Sequence, residues 1–348
     1  MHSHSRASLL LIPLLFIALL GTPSRAAIAP DQITHLVTFG DSYTDIFWAG
    51  DGGRAWPLYV MDYVNGARGT NGSVVGNQAY ADSVAEYLGG GSSSNNTASN
   101  GSLTLHPYAM AGGICSHALN LLPWPSVFED ELPPYLNDSS SGVLGDISAE
   151  NTLYSLWIGT NDVGPGALLT GEAADGVTVV DTVGCAVNWV KTLYDKGARN
   201  FLFQNMNPLE KTPMYSRNGQ WNIFMQELTT AGNKIAELLL RQLALSLDGA
   251  HVALFDSHSL FTEMIANPGS YLNGTAPLNV TAAIRTCDWK ENQDPTDTVP
   301  CTVVNGTDRD SYMWQDELHP SEQANRIVAQ QIAQVVQGEN NEYTTWLS

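Results

Sequence analysis

The chain has 348 residues, of which 43% are hydrophobic and 14% charged, a composition that excludes disorder as its general state and leaves one or two domains open. Its 35 acidic against 15 basic residues give a net charge of −20, a field that repels phosphate backbones and anionic lipid surfaces. Neither nucleic acid nor a membrane is therefore an expected partner.

The first element in chain order is an apolar run from Leu9 to Leu20, preceded by Arg6 and followed by Gly21-Thr22-Pro23 and then Ser24-Arg25-Ala26. It is shorter than the ~20 residues that span a bilayer and it contains Pro13. It reads as a secretory signal peptide over residues 1–26, not as a membrane anchor. A secreted, extracellular protein of residues 27–348 is the expectation.

Beyond it, short β-branched and aromatic runs alternate with stretches of helical period, the pattern of an α/β protein whose parallel sheet is covered on both faces. Candidate strands are His35 to Phe39, Leu103 to Ala109, Leu153 to Ile158, Phe201 to Asn205 and His251 to Asp256. They predict five parallel strands in one sheet. Val183, Ala186, Val187, Val190 and Tyr194 form one helical stripe, stopped by Gly197. A second stripe runs through Phe224, Leu228, Ala231, Ile235 and Leu238, and a last one through Ala324, Val328, Ile332 and Val335 after Pro320. Between the strands, Gly89 to Ser102 is too polar and Gly/Ser-rich to bury a core and is expected to be a surface loop.

Four cysteines, Cys115, Cys185, Cys287 and Cys301, lack C-x-x-C spacing, so in an oxidising compartment they read as disulfides and no metal site is expected. Three pairings are possible. Cys287 and Cys301 bracket a polar, proline-containing segment, which favours a local bridge there and leaves Cys115 with Cys185. Seven N-x-S/T acceptors, at Asn71, Asn95, Asn100, Asn137, Asn273, Asn279 and Asn305, mark expected glycosylation sites on exposed loops.

Chemistry-bearing residues fall at strand ends, where open α/β sheets build their sites. Gly40-Asp41-Ser42 follows the first strand and offers Ser42 as a nucleophile. Gly159-Thr160-Asn161-Asp162 follows the third, where the Asn161 amide can donate to developing oxyanion charge. Near the C-terminus, Asp316-Glu317-Leu318-His319 puts a carboxylate and an imidazole on one turn, so that Asp316 can orient His319 while its other nitrogen takes the serine proton. Two further pairs compete with it. Asp248 to His251 has the same D-x-x-H spacing, but His251 opens a strand and lies at the opposite end of the sheet. His258, in Asp256-Ser257-His258, is on the right rim without any further helper.

In order and placement these segments resemble the blocks of the GDSL, or SGNH, family of serine esterases. The second block is matched by Tyr108-Ala109-Met110-Ala111-Gly112-Gly113, with Pro107 where the family usually has Asn; its register points to Gly112 as backbone donor, with Gly113 one residue off. Arg54-Ala55-Trp56-Pro57 and Tyr312 to Arg326 look like secreted fungal members grouped with the sixteenth carbohydrate esterase family. The resemblance implies a three-layer α/β/α sandwich with a five-stranded parallel, flavodoxin-like sheet in a single domain over residues 27–348. It also implies cofactor-free acyl transfer, with Ser42 as nucleophile, His319 as base and Asp316 as its orienter; a monomer is the expected state. Ser42, Gly112 and Asn161 would form the oxyanion hole. The expected activity is removal of O-acetyl groups from plant cell-wall carbohydrate such as xylo-oligosaccharides, with Trp48 and Trp56 as candidate sugar contacts. The alternatives are a lipase-like acylhydrolase of longer acyl esters and a non-catalytic secreted carbohydrate-binding protein.

Overall fold

A computed structural model describes residues 28–46, 54–66, 75, 103–287 and 299–348. The leader, Trp48, the Gly89 to Ser102 segment and the acceptors Asn71, Asn95 and Asn100 lie outside the described residues.

The elements in chain order are β1 (His35–Gly40), α1 (Trp56–Asn65), β2 (Thr104–Pro107), a π-helical turn (Val127–Glu131) running into α2 (Leu132–Ser141), and β3 (Thr152–Trp157). A single helical turn (Thr160–Val163) precedes α3 (Val179–Tyr194), β4 (Asn200–Gln204), α4 (Gly219–Ala244), β5 (His251–Phe255) and α5 (Ser257–Ala266). Four short strands follow, β6 (Asn279–Ala283), β7 (Arg285–Cys287), β8 (Cys301–Val303) and β9 (Tyr312–Trp314), and then α6 (Glu322–Val336) and β10 (Thr344–Trp346).

The main sheet has the order β10-β5-β4-β3-β1-β2, with β2, β1, β3, β4 and β5 mutually parallel and β10 antiparallel to β5. The expected five-stranded, all-parallel sheet is thus incorrect. The sheet has six strands and is mixed. Thr344–Trp346 is too short to display an alternation in sequence, and its pairing depends on the chain turning back after α6. Asn341 makes that turn, donating to Gln331 O and accepting the Tyr343 amide at 2.8 Å. An antiparallel edge strand needs only such a turn, whereas a parallel one would need another crossover.

Strand residues alternate between two cores. Leu36, Leu153, Trp157, Leu202 and Phe255 face the layer that contains α1, α5 and α6. Val37, Phe39, Tyr154, Phe201 and Leu254 face α2, α3 and most of α4. This is an α/β/α sandwich, and both faces of each parallel strand are buried as such sheets require.

The α3 stripe packs as its period predicts, with Val183, Ala186, Val187 and Val190 buried. On α6, Ser321 Oγ caps the helix by accepting the Ala324 amide at 3.1 Å, and Ala324, Val328, Ile332 and Val335 are buried. The α4 stripe is displaced by one position from the sequence expectation. Phe224 and Leu238 are 42% and 57% exposed, while Met225, Thr229, Gly232, Ala236, Leu240 and Ala244 face inward. Packing on the buried face is close: a Cβ at Gly232 would stand 2.6 Å from Met206 Cε, so glycine lets that side chain approach while Met225 and Leu240 fill the core on the same face.

Cys115 is bonded to Cys185 and Cys287 to Cys301; the first ties the loop after β2 to α3, and the second closes the β7–β8 hairpin. Of the described acceptors, Asn137, Asn273 and Asn305 are exposed and Asn279 is half-buried.

Candidate active site

Strand β1 lies where the sheet order reverses, with β2 on one side and β3 on the other, so the loops leaving all three converge at their carboxyl ends. Ser42 stands just beyond β1 on a tight turn: Asp41 Oδ1 accepts the Tyr43 amide at 2.9 Å, and the Asp41 carbonyl accepts those of Thr44 and Asp45 at 2.9 and 3.0 Å. Gly40 makes this turn possible. Its φ is 137°, and a Cβ there would fall 2.1 Å from the Trp157 carbonyl oxygen.

The turn from Asp316 to His319 is fixed from several sides. The Gln315 amide donates to the His319 carbonyl at 2.8 Å, Met214 N–H to Glu317 O at 2.7 Å, and Tyr43 O–H to Leu318 O at 2.9 Å. Asp316 Oδ1 accepts the amides of Leu318 and His319 at 2.9 and 2.8 Å. Both Asp316 oxygens lie 2.9 Å from His319 Nδ1, and His319 Nε2 lies 2.8 Å from Ser42 Oγ. A proton on Nδ1 then faces the carboxylate, which leaves Nε2 to accept the Ser42 hydroxyl proton. Burial alone would push the Asp316 pKa up; the His319 hydrogen bond and charge, with the two backbone amides, outweigh it and hold the carboxyl below its ordinary range. Neither competing histidine takes this place. His251 opens β5 and stands edge-on to Trp346, and the His258 amide donates to Asn205 at the start of α5.

Across from this pair, the loop after β2 has its amides almost fully committed. Tyr108 and Ala109 donate to Thr38 O, Met110 to Gly40 O, Ala111 to Asp45, Gly113 to Met110 O, Ile114 to Pro125 O and Cys115 to Asp162. Gly112, at φ 81°, is the exception. Its amide, like that of Ser42, has no partner among the described residues. Asn161, on the turn after β3, donates one Nδ2 hydrogen to Gly113 O at 2.9 Å, and the second has no acceptor among the described residues. The arrangement can therefore deliver a proton from serine to imidazole and offer three N–H donors to an oxyanion.

The sequence pattern of the GDSL-like lipase/acylhydrolase family matches residues 36–332, from β1 to α6. The chain belongs to that family. An acetylesterase of Hypocrea jecorina is 29% identical to this GDSL-family chain over 97% of it and 99% of that protein. An acetylesterase of Thermothelomyces thermophilus is 26% identical over 92% of this chain and 96% of that one. A GDSL esterase/lipase of Arabidopsis thaliana is likewise 26% identical, over 94% and 95%.

Aromatic residues around the GDSL-family site differ from expectation. Trp56 is completely buried at the start of α1 and donates its indole N–H to Thr44 Oγ1, so it packs the core and presents no face to a sugar. Trp124 was not singled out by sequence, yet it is 38% exposed and stands beside the oxyanion loop: a Cβ on Gly112 would meet its Cγ at 3.5 Å. Its signal was the run Leu121-Leu122-Pro123-Trp124-Pro125, apolar but without helical or strand period.

Beneath the loops lie four buried carboxyl groups, Asp41, Asp45, Glu131 and Asp162. Burial pushes Asp41 and Asp162 up to about 7, against the pull of the backbone amides they accept.

Proposed function

We propose that this GDSL-family member is a secreted, cofactor-free serine esterase that acts as a monomer and removes O-acetyl groups from plant cell-wall carbohydrate such as xylo-oligosaccharides. The observation that carries the catalytic part is the 2.8 Å contact of Ser42 Oγ with an imidazole held by Asp316, opposite a Gly112 amide that has no partner among the described residues.

In this mechanism Ser42 Oγ attacks the ester carbonyl as its proton passes to His319 Nε2. Asp316 stabilises the resulting imidazolium and stays ionised. The amides of Ser42 and Gly112 and the second Asn161 Nδ2 hydrogen receive the tetrahedral oxyanion, and each such donor is worth about 3 kcal/mol in the transition state. His319 then gives its proton to the departing alkoxide. Water, deprotonated by the same imidazole, releases the acyl group from Ser42.

Two acetylesterases that align with nearly the whole chain support the acetyl reading. Secretion is supported by the apolar leader, by two disulfides and by exposed glycosylation acceptors. A second reading, hydrolysis of longer acyl esters, is favoured by the exposed apolar lip of Leu121 and Trp124 near the oxyanion loop.

Hydrolysis of nitrophenyl esters from acetate to a long acyl chain, by the wild type and Ser42→Ala, tests these readings. Turnover confined to short acyl groups and lost in Ser42→Ala is expected. Preference for long chains would replace the acetylesterase reading with the lipase-like one, and activity surviving in Ser42→Ala would displace the nucleophile.

A further inference from the structure

Glu131 is fully buried at the junction of the π-helical turn and α2, far in sequence from both catalytic loops. Its Oε2 accepts the Gly40 amide at 2.9 Å, two residues before Ser42. Its Oε1 accepts the Met110 amide at 3.3 Å, two residues before Gly112, and that amide is shared with Gly40 O at 3.0 Å. One carboxylate thus spans the turn that carries the nucleophile and the loop that carries the oxyanion donor.

The placement of Glu131 is itself built. Its amide reaches back five residues to Ser126 O at 3.1 Å, the spacing of the π turn, and Ser126 Oγ caps that turn by accepting the Glu129 amide. The extra residue in the turn rotates the last side chain relative to a regular helix. An isolated bridge between Ile114 and Ser126, with the Val127 amide donating to Ile114 O at 2.9 Å and the Phe128 amide to Cys115 O at 3.2 Å, keeps this segment against the loop after β2. From the other side Asp45 Oδ2 grips the Ala111 amide at 2.8 Å. Met110, Ala111 and Gly113 are all fixed, so the direction of the Gly112 amide follows from theirs.

We infer that Glu131 is a positioning residue for catalysis, holding the Ser42 turn and the Gly112 loop in one register through the backbone amides of Gly40 and Met110. The inference rests on the catalytic reading of Ser42, His319 and Gly112. A carboxyl group suits the task, because its two oxygens can each accept a backbone amide from a different segment. Its location is costly: burial, with Asp41 and Asp45 close by, drives its pKa well above the ordinary carboxylate range, against the pull of the two amides.

The test is Glu131→Gln, which keeps the shape but leaves only one oxygen for two backbone donors. Nitrophenyl acetate kinetics are measured against pH, beside wild type and Ser42→Ala. Since donors misplaced by tenths of an ångström matter chiefly in the transition state, kcat is expected to fall roughly tenfold to a hundredfold with KM within about twofold. The acid limb of the profile should not move, because His319 and Asp316 keep their contacts. In an Asn161→Ala background the further loss should be smaller than in the wild type, both changes acting on the same oxyanion.

A folded Glu131→Gln protein with kcat within about twofold of wild type, or with a displaced acid limb, would overturn the inference. Full activity in Ser42→Ala would overturn the catalytic reading beneath it, a result independent of Glu131. If Glu131→Gln does not fold by circular dichroism, Glu131→Asp takes its place, with both oxygens kept and the carboxyl group drawn back by one methylene. Failure of both variants to fold would assign Glu131 to the scaffold alone and overturn the proposal.

Discussion

At Gly113 a Cβ would stand 2.8 Å from the Gly40 carbonyl oxygen and 2.9 Å from that of Met110, both backbone atoms that cannot step aside without moving the Ser42 turn or the oxyanion loop. Gly112 has room, its nearest neighbour being the Trp124 indole at 3.5 Å, but its φ of 81° costs a non-glycine residue about 1 kcal/mol. Gly113→Ala should therefore lose more kcat on nitrophenyl acetate than Gly112→Ala, and should also melt lower. Equal losses would mean that the loop relaxes freely. Sequence spacing identifies Gly112 by its family register but is silent on Gly113, whose constraint comes from a carbonyl on another strand. Asp316 and His319, by contrast, are legible at once, because their contact is made within one turn. Glu131 is the opposite case: its partners lie on two other segments, and nothing in its neighbourhood marks it apart from other acidic residues.

Elements show the same division between local and tertiary causes. The stripes on α3 and α6 predict their buried faces because branched and small apolar residues recur on one side only. On α4 the stripe is ambiguous, since apolar residues occupy two adjacent faces, and the face that packs inward is that of Met225, Gly232, Ala236 and Leu240, with Met206 against Gly232. Met225→Ala should accordingly cost about 2–5 kcal/mol of stability, as removal of a buried side chain does. Phe224→Ser, on the neighbouring exposed position, should change it by no more than about 0.5 kcal/mol. Thermal or urea melts of the two variants decide the register, and the reverse ranking would restore the face expected from sequence. β10 escapes prediction for a related reason. Three residues carry no usable period, and their pairing exists only because β5 leaves an open edge beside the C-terminus.

Over the whole molecule, the buried ionisable groups set a pH dependence whose sign can be worked out. Asp41 and Asp162 titrate at about 7 when folded, against an ordinary value of 3.8, so between those values the unfolded chain has released protons that the folded chain retains. Their contribution to stability is then complete at acid pH and is lost as pH rises towards 7. Glu131, raised by burial, acts in the same sense. At the opposite rim His106, stacked on His35 with ring nitrogens 3.0 Å apart, is pushed down to about 4 from 6.5 by burial, and by the nearby His35; its contribution is complete above 6.5 and is lost as pH falls towards 4. His35, lowered by burial against the raising effect of Asp146, acts in the same sense as His106. Three carboxyls oppose two imidazoles, and self-repulsion in a chain of net charge −20 grows as pH rises. Thermal melting at constant ionic strength should therefore show its highest Tm at about pH 5 and a decline towards pH 8. Asp162→Asn should flatten that decline, since its carboxamide oxygen can still accept the Cys115 amide. A Tm that climbs steadily to pH 8 would mean that these carboxyls are ionised in the folded protein.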